Sequence, residues 1–221
     1  MEYVANKEVI AKRIARIFKN GDVVNLGIGL PTQVANYLPE GVTIILQSEN
    51  GMMGLGPAAP KGQEDRDVTN AGGAPVTVLP GGSYFDSATS FSIIRGGHVD
   101  YTVLGVLEVD QEGNLANYMI PGKMVPGMGG AMDLTCGARV VIAATLHFDP
   151  KGASRMKHLC KLPLTAAREV NIVVTDLGYF EVMGDRFYLH EAFAPYTPEW
   201  IVEHTDANVV VASGCQTVTI D

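Results

Sequence analysis

Apolar positions near the start of the chain recur at helical spacing. Val9, Ile10, Ile14, Ile17 and Phe18 form one stripe, with Lys7, Lys12, Arg13, Arg16 and Lys19 mostly outside it. The spacing predicts a helix over 6–20. Asn6 suits its N-cap, and Gly21 suits the left-handed residue that follows a helix end. The period then shortens. Residues 23–28 form a short apolar run, and Gly29-Leu30-Pro31 turns the chain into a second helix that ends near Leu38, with Pro31 at its first position. Residues 42–46 are apolar on both faces, as strands inside parallel sheets are. Further strand-like runs cover 76–79, 101–109, 115–120, 140–144, 171–175 and 209–212. Helices are expected over 86–95 and 198–204, the latter capped by Thr197, and Asp110-Gln111-Glu112-Gly113-Asn114 reads as a hairpin turn. Residues 47–75 are rich in glycine and proline and have no period. A loop this long inside a compact domain is usually functional. The alternation predicts an α/β fold: an open, largely parallel sheet flanked by helices, with antiparallel additions. No repeat or linker divides the chain, so one domain over 1–221 is expected.

Composition narrows the class of partner. Hydrophobic residues make up 47% of the 221 residues and charged residues 18%, enough apolar surface for a substantial core. Sixteen Lys and Arg stand against 24 Asp and Glu, for a net charge of −8. Nucleic-acid and membrane-surface proteins need a basic footprint, so neither is expected as a partner. No run approaches the ~18 apolar residues of a membrane span, and the first residues lack a signal-peptide core. Three cysteines, Cys136, Cys160 and Cys215, show no CxxC spacing. A reducing, cytoplasmic location is the simplest reading. The five histidines, among them His147, His158, His190 and His204, have no ligand spacing, so no metal is expected. Glycine is over-represented at 25 residues, clustered at a few loops.

Two of those loops carry candidate chemistry. The run over 42–46 leads into Gln47-Ser48-Glu49-Asn50-Gly51. Ligands of open α/β sheets bind beyond the carboxyl ends of the strands. Asn-Gly permits a sharp turn there that leaves Glu49 presented. From position alone, an ordinary solvated loop glutamate is the commoner outcome. The second loop is Pro121-Gly122-Lys123-Met124-Val125-Pro126-Gly127-Met128-Gly129-Gly130-Ala131-Met132-Asp133-Leu134. Its glycines free backbone N–H groups for an anion or an oxyanion, and Lys123 offers a phosphate contact. The loop lacks the spacing of a dinucleotide fingerprint. Met52, Met53, Met119, Met124, Met128 and Met132 suit an adaptable apolar pocket around these loops. His98 and Asp100 read as a helix stop and a strand start rather than an acid–base pair.

Taken in order, these segments resemble one family. Gln47-Ser48-Glu49-Asn50-Gly51 followed by Gly54-Leu55-Gly56-Pro57 is similar to the SENG motif of family I coenzyme A transferases. Asn70-Ala71-Gly72, Ser90-Phe91, Arg95-Gly96-Gly97-His98, Gly113-Asn114-Leu115-Ala116-Asn117, the run from Gly127 to Leu134, and Leu162-Pro163-Leu164-Thr165 follow in the family's order. The likeness runs from Asn25 to at least Val182. It is closest to the β (B) half of the acetate/butyrate–acetoacetate and 3-oxoacid members.

The resemblance implies a CoA-transferase/NagB-like fold, with Glu49 as a nucleophile that passes through an acyl-glutamyl anhydride and a glutamyl-CoA thioester. It implies oxyanion donors at the Gly130 and Ala131 amides beside Gly129, a place for Asn25 near the reacting thioester, and Asn50 as an orienter of Glu49. Coenzyme A is then a substrate, and neither cofactor nor metal is implied. The partners implied are an acyl-CoA, a short-chain carboxylic acid and an α (A) subunit, in an α2β2 or α4β4 assembly. One departure is Gly73, where several succinyl-CoA:3-oxoacid members carry lysine; it favours the acetate/butyrate group. The competing readings are an acyl-CoA hydrolase on the same scaffold and a non-catalytic CoA-ester or sugar-phosphate binding module.

Overall fold

A computed structural model describes residues 3–123, 125 and 127–221. Within them, thirteen strands and four α-helices follow in the order α1 (Lys7–Ala15), β1 (Val23–Leu26), a 3-10 helix (Leu30–Tyr37), β2 (Ile45–Ser48), β3 (Met52–Ala58), β4 (Val76–Tyr84), α2 (Ser87–Arg95), β5 (Tyr101–Gly105), β6 (Glu108–Asp110) and β7 (Leu115–Ala116). Then come α3 (Ala131–Gly137), β8 (Val140–Ala144), β9 (Met156–Lys157), β10 (Ile172–Val174), β11 (Gly178–Met183), β12 (Arg186–Phe193), α4 (Pro198–Glu203) and β13 (Val209–Val218).

Ten strands form one sheet in the order β13-β12-β11-β10-β8-β5-β1-β2-β3-β4. Its centre, β10-β8-β5-β1-β2, is parallel throughout. Antiparallel strands extend it: β3 and β4 beyond β2, and β11 and β12 beyond β10. The parallel strands run 2-1-3-4-5 by sequence rank, so the order reverses between β1 and β5. A ligand crevice is expected at the carboxyl ends there. A three-stranded sheet, β7-β6-β9, packs separately. Its β6–β7 pair is the antiparallel hairpin expected around 110–114.

The central strands are apolar throughout because both their faces are buried. Along β8, Val141 and Ala143 face one core with Ile94 of α2 and Leu134 of α3. Ile142 and Ala144 face the other, with Ile10, Ile14 and Phe18 of the N-terminal segment. Asn6 caps α1 as expected: its side-chain oxygen accepts from the Glu8 and Val9 amides at 3.1 and 3.4 Å. Arg13 reaches from α1 to β12, donating to both carboxylate oxygens of Glu191 at 2.6 and 2.9 Å.

Several sequence expectations are corrected. The first helix stops at Ala15 rather than Asn20, although Gly21 does take positive φ, at +85°. The second helix is 3-10 in type. The strand expected over 42–46 lies at Ile45–Ser48, which puts Glu49 directly after its last residue. The stretch 47–75 is not all loop, since β3 pairs with β2 and β4. The run over 101–109 breaks into β5 and β6, and that over 115–120 shortens to β7. The glycine loop ends in α3. His98 and Asp100 are structural: the Asp100 carboxylate accepts from the Val23 amide and from Arg139.

His147 is fully buried, and its ring is bonded on both sides. The Thr205 hydroxyl donates to the Ile201 carbonyl at 2.6 Å, so it accepts from Nε2–H of His147 at 3.1 Å. The Thr175 hydroxyl accepts the Leu177 amide, leaving its proton for Nδ1 at 3.2 Å. Both nitrogens are thus satisfied in the neutral ring. Burial lowers the His147 pKa from 6.5 to about 3. Between these values the unfolded chain binds a proton that the folded chain does not. Stability is therefore expected to fall as pH drops below 6.5, by at most about 1.4 kcal/mol per unit from this group. Urea midpoints measured from pH 7 to 4 check this: H147Q should have the shallower slope. Equal slopes would remove His147 as the cause.

Candidate active site

Glu49 is half-buried at the carboxyl end of β2, one strand from the point where the sheet order reverses. Three local features hold it there. The first is the turn after it. The Gly51 amide donates to the Ser48 carbonyl at 3.0 Å, and Gly51 takes φ +119°. Only glycine fits, because a Cβ would collide with the Phe85 carbonyl just before α2.

The second is the start of α3. The Gly130 amide donates to Oε1 of Glu49 at 3.1 Å. A side chain on Gly130 would meet the carboxylate, with Cδ 3.0 Å and Oε2 3.2 Å from a Cβ built there. Gly129, at φ +52°, lies almost as close, its would-be Cβ being 3.4 Å from Oε1. Two consecutive glycines thus let main chain approach the carboxylate with nothing between. The structure therefore brings Glu49, Gly129 and Gly130 together across 80 residues of sequence. The Ala131 amide points elsewhere and donates to the Met128 carbonyl at 3.0 Å.

The third is a clamp made by the neighbours of Glu49. The Ser48 hydroxyl donates to Oδ1 of Asn50 at 2.6 Å and accepts the Ala71 amide at 3.2 Å. Asn50 Nδ2 donates to the Thr69 carbonyl at 2.7 Å. Asn50 therefore acts on the 69–74 turn, and its carboxamide makes no bond to Glu49. Within that turn the Asn70 side chain accepts the Gly72 and Ala74 amides, and its carbonyl accepts that of Gly73. The turn forms a stiff wall whose amides are already bonded internally. Gly73 sits in it at φ +78° with open space around it.

Asn25 is buried in β1, beside Gln47 in the sheet register, and donates to Oε1 of Gln47 at 2.7 Å. Gln47 in turn donates to the Ser90 hydroxyl on α2 at 3.1 Å. Sequence reasoning missed the roles of Gln47, Ser48 and Ser90. The available signal was polarity at strand positions where alternation demands an apolar residue. Lys123 is exposed on the turn after Ile120, and Met124 and Pro126 lie outside the described residues. Met52 is buried in β3, whereas Met132 is exposed on α3. A groove of about 610 Å³ lined by Tyr3, Phe148, Trp200 and His204 contains neither Glu49 nor any of the six methionines singled out. Geometry, rather than groove size, marks the candidate site.

Among the described residues there is no group of three or more His, Cys, Asp or Glu placed to hold a metal ion. None of the described helices is long and apolar enough to cross a membrane.

A half-open carboxylate, held by a main-chain amide and bared by glycines at the carboxyl edge of an α/β sheet, defines a site for acyl-group chemistry. Comparison with known proteins gives the family. Residues 7–204 match the family model described as coenzyme A transferase. The chain belongs to the coenzyme A transferase family and is an enzyme of the transferase class. It is 54% identical over 206 residues to the beta chain of the acetate CoA-transferase of Haemophilus influenzae, covering 93% of this chain and 92% of that one. It is 50% identical to the chain of the same name in Escherichia coli K12, with 96% of each covered. To the corresponding chain of the probable succinyl-CoA:3-ketoacid coenzyme A transferase of Bacillus subtilis it is 48% identical, over 94% of this chain and 96% of that one.

Solved structures share the fold at low identity. The acyl-CoA transferase YdiF of Escherichia coli O157:H7 superposes with a TM-score of 0.73 at 20% identity, over 99% of this chain and 44% of that longer one. The decarboxylase AibA/AibB does so with a TM-score of 0.72 at 18% identity, over 97% of this chain and 89% of that one. A decarboxylase on the same scaffold means that function must be argued from the site.

Proposed function

We propose that the chain is the nucleophile-bearing β subunit of a short-chain acyl-CoA:carboxylate CoA-transferase. The observation that carries this reading is the bond from the Gly130 amide to Oε1 of Glu49. A Glu49 oxygen attacks the thioester carbonyl carbon, the C–S bond breaks, and an acyl-glutamyl anhydride and CoA thiolate result. The thiolate attacks the glutamyl carbon, the C–O bond to the first acid breaks, and glutamyl-CoA remains. An incoming carboxylate reverses both steps. Charges balance at each step, and no proton is needed.

In the second attack, negative charge develops on the remaining glutamyl oxygen. The Gly130 amide already bonds Oε1 there. One such donor is worth about 2.7–4 kcal/mol of barrier. The Ala131 amide is engaged with Met128, so the proposal rests on Gly130 alone.

Names of relatives and the open position at Gly73 favour acetoacetyl-, butyryl- or acetyl-CoA with acetate as co-substrate. An α subunit completes the enzyme, as an α2β2 or α4β4 assembly in the cytoplasm. Coenzyme A is a substrate, and the scheme uses no cofactor. The test is mass spectrometry of the Glu49 peptide from the assembled enzyme after incubation with acetoacetyl-CoA. A CoA-sized adduct that acetate removes is the expected result. No adduct in an assembled, CoA-binding enzyme overturns the covalent scheme. CoA released equally without acetate points to hydrolysis.

A further inference from the structure

Resting on that reading, the structure assigns Gln47 and Gly137 as positioning residues that set the distance between Glu49 and the Gly130 amide. The contacts form a closed circuit. Gln47 lies two residues before Glu49, and the alternation of the strand puts both on the face of the sheet that α2 and α3 cover. Its side chain is buried at 2% exposure and held from both sides, by Asn25 of β1 at 2.7 Å and by Ser90 of α2 at 3.1 Å. Asn25, at 3%, and Ser90, at 0%, are equally buried. A satisfied polar row of this kind fixes one arrangement, because any other leaves a polar group without a partner in a dry site.

From α2 the circuit passes to α3. Gly137 lets α3 lie directly on the main chain of Ile94 and Arg95, where a methyl group would collide with the Ile94 carbonyl. Arg95 also bonds Asp133, in the first turn of α3, at 2.6 Å. The other end of α3 presents the Gly130 amide to Glu49, which closes the circuit on β2. Neither Gln47 nor Gly137 touches Glu49. Each acts by fixing where β2 and α3 stand against α2.

The test uses Q47M and G137A in the enzyme assembled with its α partner. Single-turnover formation of the Glu49 adduct is expected to slow by about tenfold to a hundredfold, the usual cost of a misplacement near 1 Å. KM for acyl-CoA should stay within about twofold, since binding contacts are untouched. The double variant should lose little more than the worse single one, because both act through one distance. S90A, which deletes one bond of the row, should slow the step in the same sense should G137A fail to fold.

Hydrogen exchange of the Gly130 amide reads the positioning without any chemistry, and it should be faster in each variant. Wild-type rates of adduct formation and exchange in assembled variants overturn the inference. So does a change confined to KM. A wild-type enzyme that forms no adduct removes the covalent scheme instead, and the exchange measurement still decides the positioning.

Discussion

Replacing Glu49 by glutamine is expected to reduce CoA transfer by roughly 10⁴-fold or more while leaving the fold intact. The magnitude follows other enzymes that lose their nucleophile outright. The argument for an intact fold is local. Glutamine has the shape of glutamate, and its amide oxygen can accept from Gly130 as Oε1 now does at 3.1 Å. Glu49 is only half-buried, and the hydroxyl and carboxamide that organise the turn belong to Ser48 and Asn50. What is lost is the anionic oxygen that must open the thioester. Exchange of label between acetate and acetyl-CoA measures the loss, with the thermal midpoint and partner assembly as controls. Adduct on the Glu49 peptide should vanish with the activity. A variant that keeps even a tenth of the wild-type rate means that the carboxylate is not the attacking group.

Much of this site is legible in the sequence alone. The Asn-Gly pair after an apolar run tells where a chain can turn sharply, and Gly51 does so at φ +119°. The consecutive glycines 129 and 130 announce exposed main chain, which the structure places against Glu49. Central strands such as β8 are found at their full extent, because burial on both faces writes a continuous apolar run. Edge strands are not. β3 holds two glycines and a proline in Met-Met-Gly-Leu-Gly-Pro-Ala, yet it pairs on both sides because β2 and β4 supply the order that its composition lacks. The hairpin β11–β12 mixes charged and aromatic residues and is overlooked for the same reason. The roles of Gln47, Ser48 and Ser90 are illegible because each depends on a partner brought close by the fold. The polar row linking Asn25 to Ser90 spans 65 positions of sequence, and no local pattern encodes it.

The other large effect is expected at Gly51, through the backbone rather than the chemistry. G51A meets two separate obstacles. Its φ of +119° lies where an L residue is strained, and its new methyl group would run into the Phe85 carbonyl. The Phe85 amide also donates to the Gly51 carbonyl at 3.0 Å, so the two segments cannot part without breaking that bond. The strain costs about 1–3 kcal/mol, and the collision adds to it. Relief requires moving either the turn after Glu49 or the segment that leads into α2. Either movement separates the carboxylate from Gly130, so a loss of activity of about 10²-fold should accompany the loss of stability.

G62A supplies the comparison. Gly62 has φ +84° with nothing within 4 Å of a built Cβ, so that variant meets strain without collision. It should lose about 1–2 kcal/mol and retain full activity. Urea midpoints and turnover of both variants, measured on the assembled enzyme, separate the two costs. If G51A behaves like G62A, contact with Phe85 does not govern the position of the nucleophile. If it loses stability and activity together, the approach of main chain to main chain at Gly51 is what presents Glu49 at the carboxyl edge of the sheet.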